Sequence, residues 1–331
     1  MCLGVGHDFP AFRSGGGTNA GGSGARRGQG QLDRGPGLCS DASVPRPDAG
    51  PAAGRQPAGR AGNGAGFAGK QMTAAASDSL VDRVTLVFGG SSGIGVAVAR
   101  LFARKGARVA VVASGSLSKA QKVVEEILHE GGHATAFVCD VRDCNSVRAT
   151  VAAVETKVGP IDILVNSAGV FYPTPLGHTD VNNFDRMVDI NLKGTWLCID
   201  AVTPGMIARK RGNIVNVASV AGISGLASYS AYCATKAAVI MMTKAMSREL
   251  APHGINVNAI APGNTATPMN ESVRADADSK VRDRMLEKTP SGVLFSSVEE
   301  IANAIYFLVS PAARPMHGSV LVIDEGLSTG L

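Results

Sequence analysis

From residue 83 onward, short apolar runs rich in β-branched residues alternate with segments whose apolar residues recur at helical spacing. Such alternation is typical of parallel strands joined by crossover helices. The runs are almost continuously apolar, which indicates strands covered on both faces. The sequence therefore predicts an α/β fold with a doubly wound parallel sheet. The predicted strands are Val84–Phe88, Arg108–Ala113, Thr135–Cys139, Ile161–Asn166, Asn213–Ala218, Ile255–Ile260 and Val320–Ile323.

Local signals mark several helix boundaries. Ser118 is followed by Gln121, and Ser297 by Glu300, so both pairs match a capping box at a helix start. Glycine commonly ends a helix because it adopts the left-handed conformation without strain. The glycines expected to end helices are Gly106, Gly131 and Gly159.

One long stretch, from Asn264 to Pro290, does not fit the alternation. An insertion late in a sheet of this kind commonly forms a lid over a functional site. We therefore predict that this segment, called the lid below, covers the site.

The first 79 residues differ in composition from the rest of the chain. They hold 19 of the 41 glycines and 6 of the 16 prolines, with almost no Leu, Ile or Val. Such a segment buries too little apolar surface to offset the entropy of ordering it. We predict a disordered arm over residues 1–79 and one folded domain over residues 80–331.

The arm has two explanations. Its seven arginines and its lack of glutamate fit a transit peptide, which would direct the protein to a mitochondrion or plastid. Its five aspartates and its lack of apolar periodicity argue against this explanation. A translated leader before a true start at Met72 accounts for the composition equally well, and the expected location is then the cytoplasm.

Charge and cysteine content exclude several classes of function. Lys and Arg outnumber Asp and Glu by 8 to 5 in the arm and by 24 to 22 in the remainder, which does not indicate nucleic acid binding. The six cysteines show neither zinc-site spacing nor the density of a disulfide scaffold, which favours a reducing compartment. The histidines are scattered, so we predict no metal site. The longest charge-free stretch, Gly212–Thr235, is broken by polar residues and predicts no membrane span.

The first predicted strand runs into a glycine-rich turn, Gly89-Gly90-Ser91-Ser92-Gly93-Ile94-Gly95, and then into an apolar-faced helix. Gly89 allows a tight turn, Gly93 lets backbone amides approach a pyrophosphate, and Gly95 permits close packing of helix on strand. An ordinary glycine turn is the alternative interpretation. The strand before the turn and the helix after it favour nucleotide binding.

Further motifs follow the later predicted strands and helices. Ser219 stands thirteen positions before Tyr232, and Lys236 follows Tyr232 by four. The motifs in chain order are Asn166-Ser167-Ala168-Gly169, Asn191, Ser219, Tyr232-Cys233-Ala234-Thr235-Lys236, Pro262-Gly263 and Thr267. In this order, together with the glycine turn, they resemble the motifs of the short-chain dehydrogenases/reductases. The resemblance covers residues 80–331.

The resemblance implies a Rossmann-like fold and an NAD(P)(H)-dependent oxidoreductase that transfers a hydride between a nicotinamide and a small carbonyl or alcohol. It also implies a homo-oligomer, usually a tetramer. The implied active-site residues are Asn191, Ser219, Tyr232 and Lys236. The expected cofactor contacts are Gly89, Ser91, Ser92, Gly93, Ile94, Gly95, Ser114, Asp140, Val141, Asn166, Ala168, Gly169, Tyr232, Lys236, Pro262, Gly263 and Thr267.

The residue types agree with these roles. Tyr232 and Lys236 are four apart on a predicted helix, so their side chains share one face. A tyrosine of pKa about 10 is a poor acid-base catalyst at neutral pH, and a nearby ammonium is expected to lower that pKa. Ser219 ends a parallel strand, where it can hold a substrate oxygen, and Asn191 is expected to anchor a water that relays protons. Tyr229 lies seven before Lys236, and we expect it in a packing or substrate-wall position.

Each of these residues also has a purely structural interpretation. Taken alone, Ser219 could be a hydroxyl at the end of a strand, and Lys236 could be a solvated charge on a helix. Asn191 could be an amide that caps a helix. Together they favour catalysis. The alternative from another class is a nucleotide-binding sensor or scaffold of the same fold.

The sequence departs from the family pattern at three positions. Ser167 replaces the second Asn of the family's NNAG motif, Phe88 stands where a Thr is usual, and Glu325 replaces a Gly. The change at Phe88 removes a hydroxyl that helps to shape the glycine turn. We expect it to loosen cofactor binding without abolishing it.

The expected cofactor is NADP(H), with NAD(H) as the alternative. About 20 residues beyond a glycine turn, an acidic residue normally accepts the ribose hydroxyl of NAD. Ser114 stands at that point, and residues 112–119 contain no acid. The arginine that often binds a 2′-phosphate is missing too, so the preference is weak.

The resemblance is closest to 3-oxoacyl-acyl-carrier-protein reductases, which implies reduction of a 3-oxoacyl thioester. An acidic carrier protein requires a basic dock. The charges of the lid are balanced, which leaves Arg209-Lys210-Arg211 as the candidate dock, although three charges at a helix end are more often simply solvated. The alternative substrates are secondary alcohols, steroids and sugars.

Overall fold

The computed structural model describes residues 79–275 and 280–329. The predicted arm, residues 1–79, lies outside the described residues except for its last position. Within the described ranges, all strand pairs of the main sheet are parallel, and the strands are ordered β3-β2-β1-β4-β5-β6-β7. This confirms the predicted doubly wound α/β fold.

Strands and helices alternate along the described chain. The strands are β1 Val84–Phe88, β2 Arg108–Ala113, β3 His133–Val138, β4 Ile161–Asn166, β5 Gly212–Val217, β6 Ile255–Pro262 and β7 Val320–Ile323. The α-helices are α1 Gly93–Arg104, α2 Leu117–His129, α3 Cys144–Lys157, α4 Val181–Met187, α5 Thr195–Arg209, α6 Ser230–Leu250, α7 Glu271–Ala275, α8 Lys280–Glu287 and α9 Val298–Val309. A π-helix, Val188–Gly194, connects α4 to α5, and short 3₁₀ turns include Val220–Gly222 and Pro268–Asn270.

Two apolar layers cover the two faces of the sheet. One layer packs α1, α2 and α9 on the sheet through residues such as Phe102, Ile127 and Ile305. The other packs α3, α5 and α6 through residues such as Val154, Ile199 and Leu250. Both faces are therefore buried, which is why the strands read as continuous apolar runs.

The predicted strands agree closely with the observed ones, with three differences at their ends. The third strand begins two residues earlier and ends one residue earlier than predicted. It is an edge strand with partly exposed side chains, so its polar start did not stand out as a strand. The fifth strand is shifted by one residue, and the sixth continues to Pro262.

The helix signals were correct with one exception. The Ser297 and Glu300 capping box is present, and the three glycines lie just beyond helix ends with positive φ. The capping box at Ser118 is wrong: α2 begins at Leu117 with Ser116 as its N-cap. Ser118 is already inside the helix, and its hydroxyl hydrogen-bonds the Ser116 hydroxyl at 2.7 Å.

A buried aspartate organises the amino-terminal edge of the sheet. Asp162, at 2% exposure, accepts a hydrogen bond from the Val84 backbone N–H at 3.0 Å and pairs with Arg211. Arg83, the residue before β1, donates a hydrogen bond of 2.8 Å to the side chain of Asn213 on β5. These contacts tie β1, β4 and β5 together at the edge opposite their carboxyl ends.

The described residues contain no helix that is long and apolar enough to cross a membrane. Within the same ranges, no group of three or more His, Cys, Asp or Glu side chains is arranged to hold a metal ion.

Phe88 gives a test of the core. Its ring is fully buried at the end of β1, an interior strand, so Phe88→Ala should lower the free energy of unfolding by about 3–5 kcal/mol through lost burial and a cavity. Denaturant unfolding measures this change. Phe307→Ala is the matched control because that ring is 41% exposed, and it should cost much less. Equal losses in the two variants would contradict this description of the core.

Candidate active site

The strand order reverses between β1 and β4, and the crevice beyond their carboxyl ends holds the glycine turn. Gly89 has φ +76°, and a Cβ there would lie 2.6 Å from the Ala168 backbone nitrogen. A Cβ on Gly95 would lie 2.1 Å from the Gly89 carbonyl oxygen. Only glycine fits at either position, because each backbone passes too close to leave room for a side chain.

The turn leaves an anion-binding helix end open. Helix α1 begins at Gly93, and its N-cap, Ser92, makes no side-chain capping bond. Backbone N–H groups at the start of a helix bind phosphates well because they point outward at the positive end of the helix dipole. The turn therefore fits the predicted pyrophosphate contact.

The backbone hydrogen bonds of the glycine turn form around Phe88. The Gly90 N–H donates to the Val112 carbonyl at 3.0 Å, and the Ser167 N–H donates to the Phe88 carbonyl at 3.0 Å. The ring itself points into the apolar layer that includes Val112 and Leu164. The backbone thus holds the turn in place at a position where the family usually has a Thr.

Ser219 and Tyr232 come together beyond the end of β5. Ser219 caps the 3₁₀ turn Val220–Gly222, and its Oγ accepts a hydrogen bond from the Ala221 N–H at 3.1 Å. Its hydroxyl also hydrogen-bonds the Tyr232 side chain, an interaction that lowers the pKa of Tyr232. The structure therefore pairs two of the predicted active-site residues.

The pKa of Tyr232 differs from the prediction. Burial of the phenol raises it from 10.0 to about 12, and this effect outweighs the hydrogen bond from Ser219. The prediction that Lys236 lowers this pKa is wrong for this structure. The Lys236 Nζ lies 5.7 Å from the ring centroid and donates instead to the Val217 carbonyl oxygen at 2.8 Å.

Lys236 is itself buried, at 6% exposure. Loss of hydration lowers its pKa from 10.5 to about 8, because burial disfavours the ammonium form. The interpretation as a solvated helix charge is excluded by this burial.

Asn191 lies in the π-helix and is 1% exposed. Its Oδ1 accepts from the Val170 N–H at 2.8 Å, and its Nδ2 donates to the Val170 carbonyl at 2.9 Å and to Thr235 Oγ1 at 3.3 Å. Both amide hydrogens are thus used, and a lone pair on Oδ1 remains for a water. The side chain pins the loop after β4 rather than capping a helix.

Gly169 shows how closely these groups converge. A Cβ on Gly169 would lie 3.4 Å from Asn191 Oδ1 and 3.6 Å from Lys236 Nζ. The loop after β4 therefore passes directly beside two of the four predicted active-site residues.

A buried polar chain beneath the site was not predicted. The Asn166 Nδ2 donates to Asn216 Oδ1 at 2.9 Å, and the Asn216 Nδ2 donates to Thr243 Oγ1 at 2.9 Å. Asn166 Oδ1 is buried without a hydrogen-bond partner among the described residues. The signal in the sequence was an Asn within an apolar strand run, since such a residue needs a partner when it is buried.

Aromatic side chains cover the substrate side of Tyr232. The Phe171 ring contacts Tyr232 edge-on, with centroids 4.7 Å apart, and stacks on Tyr229 at 4.3 Å and 4°. Tyr229 thus packs on Phe171, which agrees with the packing alternative predicted for it. Phe171 was not singled out, because one aromatic residue after a glycine carries no periodic signal.

The start of the lid lies against the glycine turn. Gly263 follows β6 and approaches Asp324 so closely that a Cβ would lie 2.8 Å from its Cα. A Cβ on Gly93 would lie 3.3 Å from Thr267 Cγ2, so the Thr267 methyl group faces the turn.

Three predicted cofactor residues lie at the ends of β2 and β3. Ser114 directly follows β2. The Asp140 carboxylate is bound by Arg142, whose Nε and terminal nitrogen lie 2.9 and 2.6 Å from its oxygens, and this hydrogen bonding lowers the pKa of Asp140. The Val141 side chain is buried against Gly194, which leaves its backbone for any ligand.

The predicted basic dock is in the wrong place. Arg209-Lys210-Arg211 precedes β5, whereas Ser219 follows it, so the cluster lies at the opposite edge of the sheet, roughly 20 Å away at 3.3 Å per residue. Arg209 donates to the Ile161 carbonyl, and Arg211 pairs with Asp162. These arginines stabilise the sheet.

Comparisons with known proteins agree with the fold and the motifs. A family model described as enoyl-(acyl carrier protein) reductase matches residues 89–328. A 3-oxoacyl-acyl-carrier-protein reductase of Staphylococcus epidermidis is 37% identical over 247 residues, which are 75% of this chain and 99% of that protein.

Two solved structures are similar along the folded region. A gluconate 5-dehydrogenase from Burkholderia cenocepacia, in complex with NADP and tartrate, has a TM-score of 0.74 and 34% identity, covering 78% of this chain and 100% of that one. A short-chain type dehydrogenase/reductase from Mycobacterium marinum has a TM-score of 0.71 and 34% identity, covering 76% and 98%. The chain belongs to the short-chain dehydrogenase/reductase family of NAD(P)-dependent oxidoreductases, which act on carbonyl and alcohol groups.

Proposed function

We propose that this chain reduces the 3-oxo group of a 3-oxoacyl thioester to the 3-hydroxy product, with NADPH as the reductant. The observation that carries the proposal is the convergence of Ser219, Tyr232 and Lys236 beside an open glycine turn, with aromatic rings on the substrate side. The similarity to the Staphylococcus epidermidis reductase supports the choice of substrate.

The residues divide between holding the cofactor and handling the proton. The glycine turn, Gly169, Thr267 and Lys236 would hold the dinucleotide. When bound, NADPH supplies the hydride to the carbonyl carbon. Ser219 holds the carbonyl oxygen by a hydrogen bond, and Tyr232 donates its phenol proton to that oxygen as it becomes a hydroxyl. Asn191 keeps the loop after β4 in place through Val170.

Tyr232 is in the protonation state that reduction requires. Burial raises the pKa of Tyr232 to about 12, so the phenol keeps its proton throughout the neutral range and can donate it to the substrate oxygen. A tyrosine of ordinary pKa is protonated there as well, so the direction of the reaction is set by the supply of NADPH rather than by this pKa.

The surroundings of Tyr232 favour an acyl chain over a sugar acid. Phe171 and Tyr229 stack beside it, and the exposed Leu226 and Met269 lie on the adjoining loop and on the lid. A sugar acid needs partners for several hydroxyls and a cation for its carboxylate. Of these four side chains only the Tyr229 phenol can hydrogen-bond a hydroxyl, and none is a cation. Gluconate oxidation is the second candidate because of the Burkholderia cenocepacia neighbour.

Family membership also leads us to propose that the protein is a homo-oligomer, specifically a homotetramer. Large apolar side chains on neighbouring helices support this: Phe184 on α4, Trp196 on α5 and Met241 on α6 are 44%, 45% and 62% exposed. Contact with another copy would remove this apolar surface from water.

Acetoacetyl thioester with NADPH tests the proposed reaction. We expect NADPH to be consumed by the native protein, and Tyr232→Phe to remove this activity while leaving NADPH binding nearly unchanged, because the ring remains and only the proton donor is lost. Absorbance at the nicotinamide band and a binding titration measure the two effects. Lys236→Ala should damage both activity and binding. Efficient gluconate oxidation without thioester reduction would overturn the acyl proposal.

Cofactor choice depends on the start of α2. Ser114, Ser116 and Ser118 offer hydroxyls there, the first turn contains no acid, and the Ser116 hydroxyl accepts no capping hydrogen bond from the helix backbone, which suits a 2′-phosphate. We expect a higher kcat/KM for NADPH than for NADH. Ser114→Asp should reverse this order, since a carboxylate repels the phosphate and binds the ribose hydroxyl of NADH. Ser118→Ala is the control for loss of one hydroxyl without added charge. A tenfold preference of the native protein for NADH would refute the proposal.

Burial of Lys236 predicts a conflict between activity and stability. A fall in pKa from 10.5 to about 8 means that the fold disfavours the ammonium by up to about 3 kcal/mol at neutral pH. Lys236→Met should therefore raise the unfolding free energy by about 1–3 kcal/mol near pH 7 while abolishing activity. The gain should fade as pH rises from about 8 towards 10.5, where the lysine is neutral in both states. Urea unfolding at both ends of that range checks this, and a variant less stable than the native protein at neutral pH would contradict it.

A further inference from the structure

Glu325, two residues after the end of β7, is the point where both ends of the lid are tied. It stands where the family commonly has a glycine, and neither the fold nor the proposed reaction explains a carboxylate there. Its side chain and its backbone make separate contacts, one towards each end of the lid.

The side chain of Glu325 holds the start of the lid through Ser296. Ser296 is 1% exposed, and its Oγ donates to Glu325 Oε1 at 3.1 Å. The Ser296 N–H donates to the Asn264 carbonyl and the Ala266 N–H donates to the Ser296 carbonyl, each at 2.9 Å. The first residues of the lid are therefore bonded to a residue that Glu325 anchors.

The backbone of Glu325 holds the other end of the lid. The Ser291 N–H donates to the Glu325 carbonyl at 3.2 Å. A Cβ on Gly326 would lie 3.2 Å from the ring of Pro290, so the turn packs directly against the last residue of the lid. Both ends of a 27-residue segment, Asn264 to Pro290, thus converge on one turn.

The conformation of this turn makes glutamate an unfavourable choice on local grounds. Glu325 has φ +58°, a left-handed conformation that disfavours side chains and suits glycine. Asp324 fixes the turn, because its carboxylate accepts from the Gly326 and Ser328 N–H groups at 3.1 and 2.7 Å. The backbone of Glu325 is therefore held in a strained conformation. The hydrogen bond that its carboxylate accepts from Ser296 is the compensating contact.

The hydrogen bond between Glu325 and Ser296, called the anchor below, fixes the distance between the lid and the glycine turn. Thr267 lies three residues beyond Asn264, and its methyl group faces Gly93. Asn270 stiffens this stretch, since its Oδ1 accepts from the Thr267 N–H at 3.2 Å and its Nδ2 donates to the Thr265 carbonyl at 2.7 Å. A shift of Ser296 is thus transmitted to Thr267.

We propose that Glu325 is a positioning residue that ties both ends of the lid and keeps Thr267 over the glycine turn, so that it slows release of the bound dinucleotide. The proposal rests on the proposed function only for the identity of that dinucleotide. The anchoring itself is a property of the chain and can be measured without substrate or cofactor.

Limited trypsin digestion of the full chain tests the anchor. The lid carries five basic residues, at positions 274, 280, 282, 284 and 288. In Glu325→Ala, cleavage at these positions should become about three- to tenfold faster, the range that loss of one hydrogen bond allows, as measured by mass spectrometry of the fragments. Glu325→Gln keeps an acceptor oxygen and should stay close to the native rate. Glu125→Ala, a change at an exposed helix position, is the control for loss of a carboxylate.

Cofactor titration tests the consequence. The Kd for NADPH, followed by its fluorescence in the absence of substrate, should rise by about three- to tenfold in Glu325→Ala and in Ser296→Ala. The double variant should bind no more weakly than either single one, because both changes remove the same contact. KM for NADPH should rise with Kd, while kcat is unchanged or higher because release is faster.

Glu325→Gly separates positioning from folding. It removes the carboxylate but relieves the left-handed strain, so its melting temperature should be at least that of Glu325→Ala while its lid is cleaved equally fast. If both the Ala and Gly variants are cleaved at the native rate, Glu325 does not anchor the lid. If cleavage is faster but the Kd values for NADPH and NADH are unchanged, the anchor does not slow release of the dinucleotide. Faster cleavage and weaker binding in a protein that reduces no carbonyl compound would leave the anchor intact and refute the proposed function instead.

Discussion

The reversal of strand order between β1 and β4 is the constraint on which the site depends. It separates the helices that follow these strands and leaves a crevice at their carboxyl ends. Neighbouring backbone segments approach each other very closely in this crevice. Gly89 lies against Ala168, and Gly95 lies against Gly89, with no room for a side chain at either glycine. The Asp162 contacts at the opposite edge tie the start of β1 to β4 and to Arg211, which precedes β5.

Polar groups buried at the catalytic edge are costly, and the structure shows how they are accommodated. Lys236 has the Val217 carbonyl as its partner, and the Asn166–Asn216–Thr243 chain satisfies most of the buried amides beneath it. The same loss of water raises the pKa of the Tyr232 phenol. The proximity of Tyr232 to Lys236 along the helix therefore does not by itself set their proton affinities.

The sequence predicted the sheet well because each strand is buried on both faces and reads as an apolar run. Errors arose at an edge strand, β3, and at Ser118, where two nearby serines offered two possible caps. The order of motifs predicted which residues meet at the site. Three features required coordinates. The pKa of Tyr232 depends on burial, and the location of Arg209-Lys210-Arg211 depends on the direction of β5. The double tie at Glu325 joins it to Ser296 and Ser291, which lie 29 and 34 positions away.

The π-helix Val188–Gly194 gives the site a dependence on chain length as well as on residue identity. In a π-helix each backbone hydrogen bond joins residues five apart, whereas in an α-helix it joins residues four apart. Such segments are frequent at functional sites. Removing one residue between Val188 and Asn191 would allow a regular α-helix from α4 into α5 and would rotate Asn191 away from Val170 by roughly 100°, the angle per residue of an α-helix. A single-residue deletion here would therefore leave a more regular helix and an unsupported loop beside Lys236, which makes this segment intolerant of length changes that most helix connections accept.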